Sequence, residues 1–131
     1  MGTNKGANQM NIVLWVLQVL AGLAFFATGM SKLLMPLDKL AVRMSWVNAL
    51  PPPAVRAIGA IEILGGIGLI VPWLTQILPV LTPLAATGLV ITMIGATIMH
   101  INLKEMNKVA VPLVLGILVL IIAVGRFSGT A

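Results

Sequence analysis

The sequence predicts an all-α integral membrane protein: a four-helix bundle with a short interfacial helix between spans 1 and 2. Three observations predict it. Apolar residues make up 60% of the 131 residues and charged ones only 8%, against about 25% charged in an ordinary soluble domain. Too few polar groups are present to cover that much apolar surface in water. The apolar residues also fall into four runs near the bilayer-crossing length of about 20 residues, separated by prolines and Lys/Arg. The length fits one domain over residues 1–131.

Span 1 is expected over residues 11–33. Residues 6–31 carry no charge, Asn11 has an N-cap side chain, and Lys32 closes the run. The run is longer than a signal-peptide core and lacks a small-residue cleavage pattern, so it reads as a span. In the connection 33–54, Leu37, Leu40, Ala41, Met44, Val47 and Leu50 recur at helical spacing, with Asp38, Lys39, Arg43, Ser45 and Asn48 opposite. That amphipathic pattern is too short and too charged to span, so it predicts a helix lying in the interface, the depth Trp46 also suits. Pro51-Pro52-Pro53 ends it.

Span 2 is expected over 54–71, with Val71-Pro72-Trp73 at the far interface and a turn at Thr75, Gln76 and Pro79. Span 3 follows over 80–100, with Pro83 tolerated in its first turn. The polar turn INLKEMNK (101–108) leads to span 4 over 109–125, with Pro112 near its start and Arg126 at its end.

The net charge of +5 reads as topology and attraction to anionic headgroups, not as nucleic-acid binding. The loops joining spans 1–2 and 3–4 carry Lys32, Lys39, Arg43, Arg56, Lys104 and Lys108, while the other side has Lys5 and Arg126. The positive-inside rule then puts those loops in the cytoplasm and both termini outside, in a cell (plasma or inner) membrane. With no cysteine, disulfides, thiolate metal sites and thiol redox chemistry are excluded. A single histidine cannot give bis-histidine haem ligation. No metal and no resident cofactor are expected, with a bound quinone or lipid left open.

Glu62 is the most informative residue. It lies about two turns into span 2, where a carboxylate costs roughly 2.5–3.5 kcal/mol on insertion scales and faces protein or water. Gly59, Glu62 and Gly66 share a face that lets another helix approach closely. Lys32 is its expected partner. Side chains lean toward a helix's N-terminus, so Lys32 leans into the membrane while Glu62, on the antiparallel span, leans back toward it. Gly22, Gly29 and Lys32 share a face. His100 closes span 3 at the same surface, below a small-residue face of Gly88, Thr92 and Ala96, and Arg56 and Asn102 lie nearby. Lys32, Glu62 and His100, with Arg56, thus form one candidate polar site. Each has an ordinary alternative: Lys32 and Arg56 as snorkelling cations, His100 as an interfacial histidine, Glu62 as a structural ion-pair partner. Gly65-Gly66-Ile67-Gly68 lies mid-span without a Lys-Ser/Thr ending, so it is no phosphate loop.

From Val16 to Phe127 the chain resembles the DoxX-like family of small four-span membrane proteins. The resemblance rests on AGLAFFATGMSKL (ending at Gly29, Lys32 and Leu33), IGAIEILGGIGLIVP around Glu62, and LTPLAATGLVITMIGATIMH ending at His100. It implies a four-helix membrane bundle and points to Lys32, Glu62 and His100 as the matching polar positions. It carries over no catalytic residue. Some members are linked to oxidoreductase assemblies, including a thiosulfate:quinone oxidoreductase subunit, and a related animal group looks like receptor-assembly chaperones.

The leading expectation is an accessory or binding subunit of a membrane assembly, of the quinone-linked oxidoreductase type that the resemblance implies, with no enzyme activity of its own. Its partners would be the lipid bilayer and membrane or oxidoreductase subunits, with a homo-oligomer left open. The alternative is a small oligomeric proton-coupled transporter with Glu62 as coupling carboxylate. A membrane enzyme using Glu62 and His100 as an acid/base pair is a third reading, but the chain offers few polar groups for it.

Overall fold

A computed structural model describes residues 5–128. Its elements are α1 (Lys5–Leu34), α2 (Leu37–Arg43), a 3-10 turn (Ser45–Ala49), α3 (Pro52–Thr75), α4 (Leu81–Asn102), a second 3-10 turn (Met106–Lys108) and α5 (Ala110–Phe127). No strand occurs among the described residues. α1, α3, α4 and α5 are each long and apolar enough to cross a membrane. They form a ring in which α1 packs on α3, α3 on α4, α4 on α5 and α5 back on α1. Much of the apolar content faces outward, as at Leu23, Leu64, Ile91 and Val124. In a bilayer those positions meet acyl chains.

Two helix ends differ from the expectation. α1 is already helical at Lys5, so Asn11 is not its N-cap but sits inside the helix. α3 continues to Thr75, through Pro72. Proline has no N–H to donate to the carbonyl four residues back. That carbonyl, Gly68 O, instead accepts from Thr82 Oγ1 of α4 at 2.8 Å. A backbone group inside a bilayer must find a protein partner, and this hydroxyl lets the helix pass its proline.

The interfacial segment follows its predicted apolar stripe but not as one helix. The backbone turns extended at Met44 (φ −130°, ψ 92°), which separates α2 from the 3-10 turn. Leu40 and Val47 are buried with Val55 of α3, and Leu37, Ala41, Met44 and Leu50 pack around them. This small cluster fastens the segment to the start of α3.

The tightest packing is between α1 and α3. A Cβ on Gly29 would fall 2.6 Å from Gly59 O, and one on Gly66 would fall 2.7 Å from Gly22 O. Glycine pairs therefore bring the two backbones together at two levels. The expected small-residue face of α4 behaves differently: nothing lies within 4 Å of a Cβ placed on Gly88 or Gly95. α4 packs through Thr82, Pro83, Ala86, Leu89 and Met93 instead.

Candidate functional site

The bundle is layered along its axis. Its middle is an apolar core that includes Ala21, Phe25, Leu69, Ala86, Leu89, Val119 and Ile122. A polar layer lies on either side.

The first layer holds the residues singled out from the sequence. Lys32 Nζ donates to Glu62 Oε1 at 2.6 Å, and the residues are only 7% and 2% exposed. The convergence expected from opposed helix directions is thus present, set by the Gly29–Gly59 contact one turn away. Thr28 Oγ1 donates to the same Glu62 oxygen at 3.4 Å. The Lys32 ammonium also sits 5.8 Å from the centre of the Trp46 ring, within cation–π range.

Arg56 does not join this pair. Its Nη1 donates to Lys32 O at 2.8 Å and to Met35 O at 2.7 Å. The reason is local: Pro36 lacks the N–H that Lys32 O would otherwise receive, so the last carbonyls of α1 need another donor. Arg56 thus caps the end of α1 and does not touch Glu62.

His100 faces the same space as Lys32 and Glu62 but has a different partner. Its Nδ1 lies 3.1 Å from Glu105 Oε1. Glu105 also accepts from Ser45 Oγ of the interfacial segment and from Lys108 Nζ, the latter at 3.3 Å. The Ser45 hydroxyl first, then His100, hold the Glu105 carboxyl below its ordinary value of 4.5. Glu105, unremarked in the sequence, thereby ties the interfacial segment to the α4–α5 loop.

Between these groups lies a cavity of about 630 Å³, half-open and mostly apolar. Thr28, Lys32, Glu62 and His100 line it, with Trp46 and Arg43 from the interfacial segment and Ile58, Ala96, Met99 and Leu115 from the bundle. The size is within the about 300–1,000 Å³ of small-molecule sites. Its chemistry suits a lipophilic molecule with a polar end. The Lys32 ammonium has three donors, and Glu62 Oε1 takes one of them. No group of three metal-ligating side chains occurs among the described residues.

A family model described as the DoxX-like family matches residues 16–122. The chain belongs to the DoxX-like family. No curated protein and no solved structure matches the chain. The DoxX-like match takes in α3 and α4 whole and most of α1 and α5, and contains Lys32, Glu62 and His100. With four long apolar helices, this is a multi-pass membrane protein of that family.

The second polar layer was missed from the sequence. Arg126 is 2% exposed and Gln18 fully buried. Arg126 Nε donates to Gln18 Oε1 at 2.7 Å, and Nη1 to Asn11 Oδ1 at 2.9 Å. The guanidinium lies 4.5 Å from the Trp73 ring centre and 5.8 Å from that of Trp15. Gln18 Nε2 completes the set by donating to Leu69 O at 2.6 Å. The sequence signal was a glutamine within an apolar run. Its spacing from Asn11, seven residues or two turns, puts both on one helix face. This cluster joins α1, α3 and α5 and reads as a structural lock.

Proposed function

We propose that this DoxX-like protein is a non-catalytic binding subunit of a membrane assembly, and that it holds one lipophilic small molecule, a quinone or a lipid, in the cavity beside Lys32 and Glu62. The observation that carries this is the combination of a mostly apolar 630 Å³ cavity with a buried ion pair in its wall. An apolar body fits the bundle side. A polar end fits the remaining donors of Lys32 and the His100 ring. The cavity lies at the end of the bundle rich in Lys and Arg, so we assign that end to the cytoplasm of the cell membrane. Lys32 and Arg56 are used internally, yet Lys39, Arg43, Lys104 and Lys108 still outnumber Lys5 at the other end.

The test is small-molecule mass spectrometry on protein extracted in mild detergent, beside Ala96→Phe, which fills the cavity and leaves the ion pair alone. The reading expects about one lipophilic molecule per chain in the wild type and its loss in the variant. Equal retention by both proteins, or nothing bound to the wild type, would sink it. Co-purifying subunits would be identified from the same preparation.

The transport reading has less support. Glu62 already holds Lys32, and the apolar middle layer lies between the cavity and the opposite face. Liposome flux abolished by Glu62→Gln would reverse that order.

A further inference from the structure

The charges around the cavity select among its ligands. Lys32, Arg43 and Lys108 line it, and Glu62 is the one acidic residue that does. Lys32 is neutralised by Glu62 and Lys108 lies against Glu105. Arg43 differs: no carboxylate lies within 4.0 Å of it among the described residues. It ends α2 at the cavity wall, between the buried cluster of the interfacial segment and the surface. Without an anion there, the mouth keeps a net positive charge over an apolar interior formed by residues such as Ile58, Ala96, Met99 and Leu115.

We propose that the ligand is an anionic single-chain amphipath, its acyl chain in the apolar part of the cavity and its carboxylate or phosphate head on Arg43. This deepens the binding reading above and rests on it. A guanidinium presents a planar fork of donors that matches either head. A neutral head of the same chain would gain the apolar contacts and uncharged hydrogen bonds but no charge-assisted contact with Arg43. A simple snorkelling role, in which Arg43 only touches bilayer headgroups, predicts no such selectivity.

The experiment measures equilibrium binding to the full chain in nanodiscs of neutral phosphatidylcholine. The probes share a palmitoyl chain: palmitate, palmitoyl lysophosphatidate and uncharged monopalmitoylglycerol. At least one anionic probe is expected to bind about one per chain and about ten-fold or more tighter than monopalmitoylglycerol, as one charge-assisted head contact would give. Which of the two binds tells a free fatty acid from a lipid phosphate. Arg43→Gln, at an exposed position, is expected to bring the preference to about two-fold or less. Lys39→Gln, an exposed cation off the cavity wall, is expected to leave it intact. Equal binding of neutral and anionic probes, or a preference that survives Arg43→Gln, overturns the inference while the cavity remains a lipophile site. Failure of all three probes to bind overturns the inference, and the binding reading itself then stands or falls on the lipophile found, or not found, by mass spectrometry in the extracted wild type.

Discussion

Removing one member of the Lys32–Glu62 pair should destabilise the bundle far more than removing both. The two charges are 2.6 Å apart and the residues 7% and 2% exposed. An exposed pair would contribute about 0–1 kcal/mol. Here each single substitution strands a charge in a poorly solvated wall, which costs about 3–5 kcal/mol. Lys32→Met and Glu62→Met should each show a loss of that order. The double variant removes both desolvation penalties and fills similar volume, so it should lie within about 1–2 kcal/mol of the wild type. Unfolding in mixed micelles with increasing SDS measures this, read by tryptophan fluorescence, with Trp46 beside Lys32 as local reporter. The reasoning is refuted if each single variant loses less than about 1 kcal/mol, or if the double variant loses the sum of the two. Either result would mean that water or lipid headgroups solvate the pair as they would at a surface.

Other expectations test the surrounding structure. Gly59→Ala puts a methyl 2.8 Å from Gly29 O and 2.9 Å from Lys32 Cβ, so it should lose about 1–3 kcal/mol in the same assay. Gly88→Ala and Gly95→Ala meet open space and should be neutral or gain up to about 1 kcal/mol. Arg126→Met leaves the buried Gln18 Oε1 without its donor, a loss of about 1–3 kcal/mol. Arg126→Lys should not restore it, because one ammonium cannot replace the separate contacts of Nε with Gln18 and of Nη1 with Asn11. Glu105 titrates below its ordinary value of 4.5 because Ser45 and His100 bond to the carboxylate. The unfolded chain takes up that proton first, so the contribution of Glu105 is full above 4.5 and is lost as pH falls through its lower folded value. A melting-temperature profile from pH 6 to pH 3 should show this acid limb in the wild type and not in Glu105→Gln. A single cysteine at Lys39, in a chain that has none, should be labelled by impermeant maleimide only after the cytoplasmic side is opened. Labelling from outside would invert the proposed orientation.

The four spans, the interfacial stripe and the meeting of Lys32 with Glu62 were all legible in the sequence. Each depends on something local: apolar run length, helical spacing, or the lean of a side chain along its own helix. The glycines on α1 and α3 marked the close contact because a missing Cβ is itself a sequence feature. The sequence did not decide who pairs with whom across the bundle. Arg56 looked like a site cation until the chain geometry turned it onto Lys32 O at the end of α1, left bare by Pro36, and Met35 O just beyond it. Pro72 looked like a helix end, yet Thr82 of α4 takes over the orphaned carbonyl and α3 continues. His100 shares the cavity with Glu62 but bonds to Glu105, and Arg126 and Gln18 meet across 108 positions of sequence. In a bilayer each of these polar groups must find a partner inside the protein. Helix periodicity says which face a group is on, and only the packed bundle determines which partner that face meets.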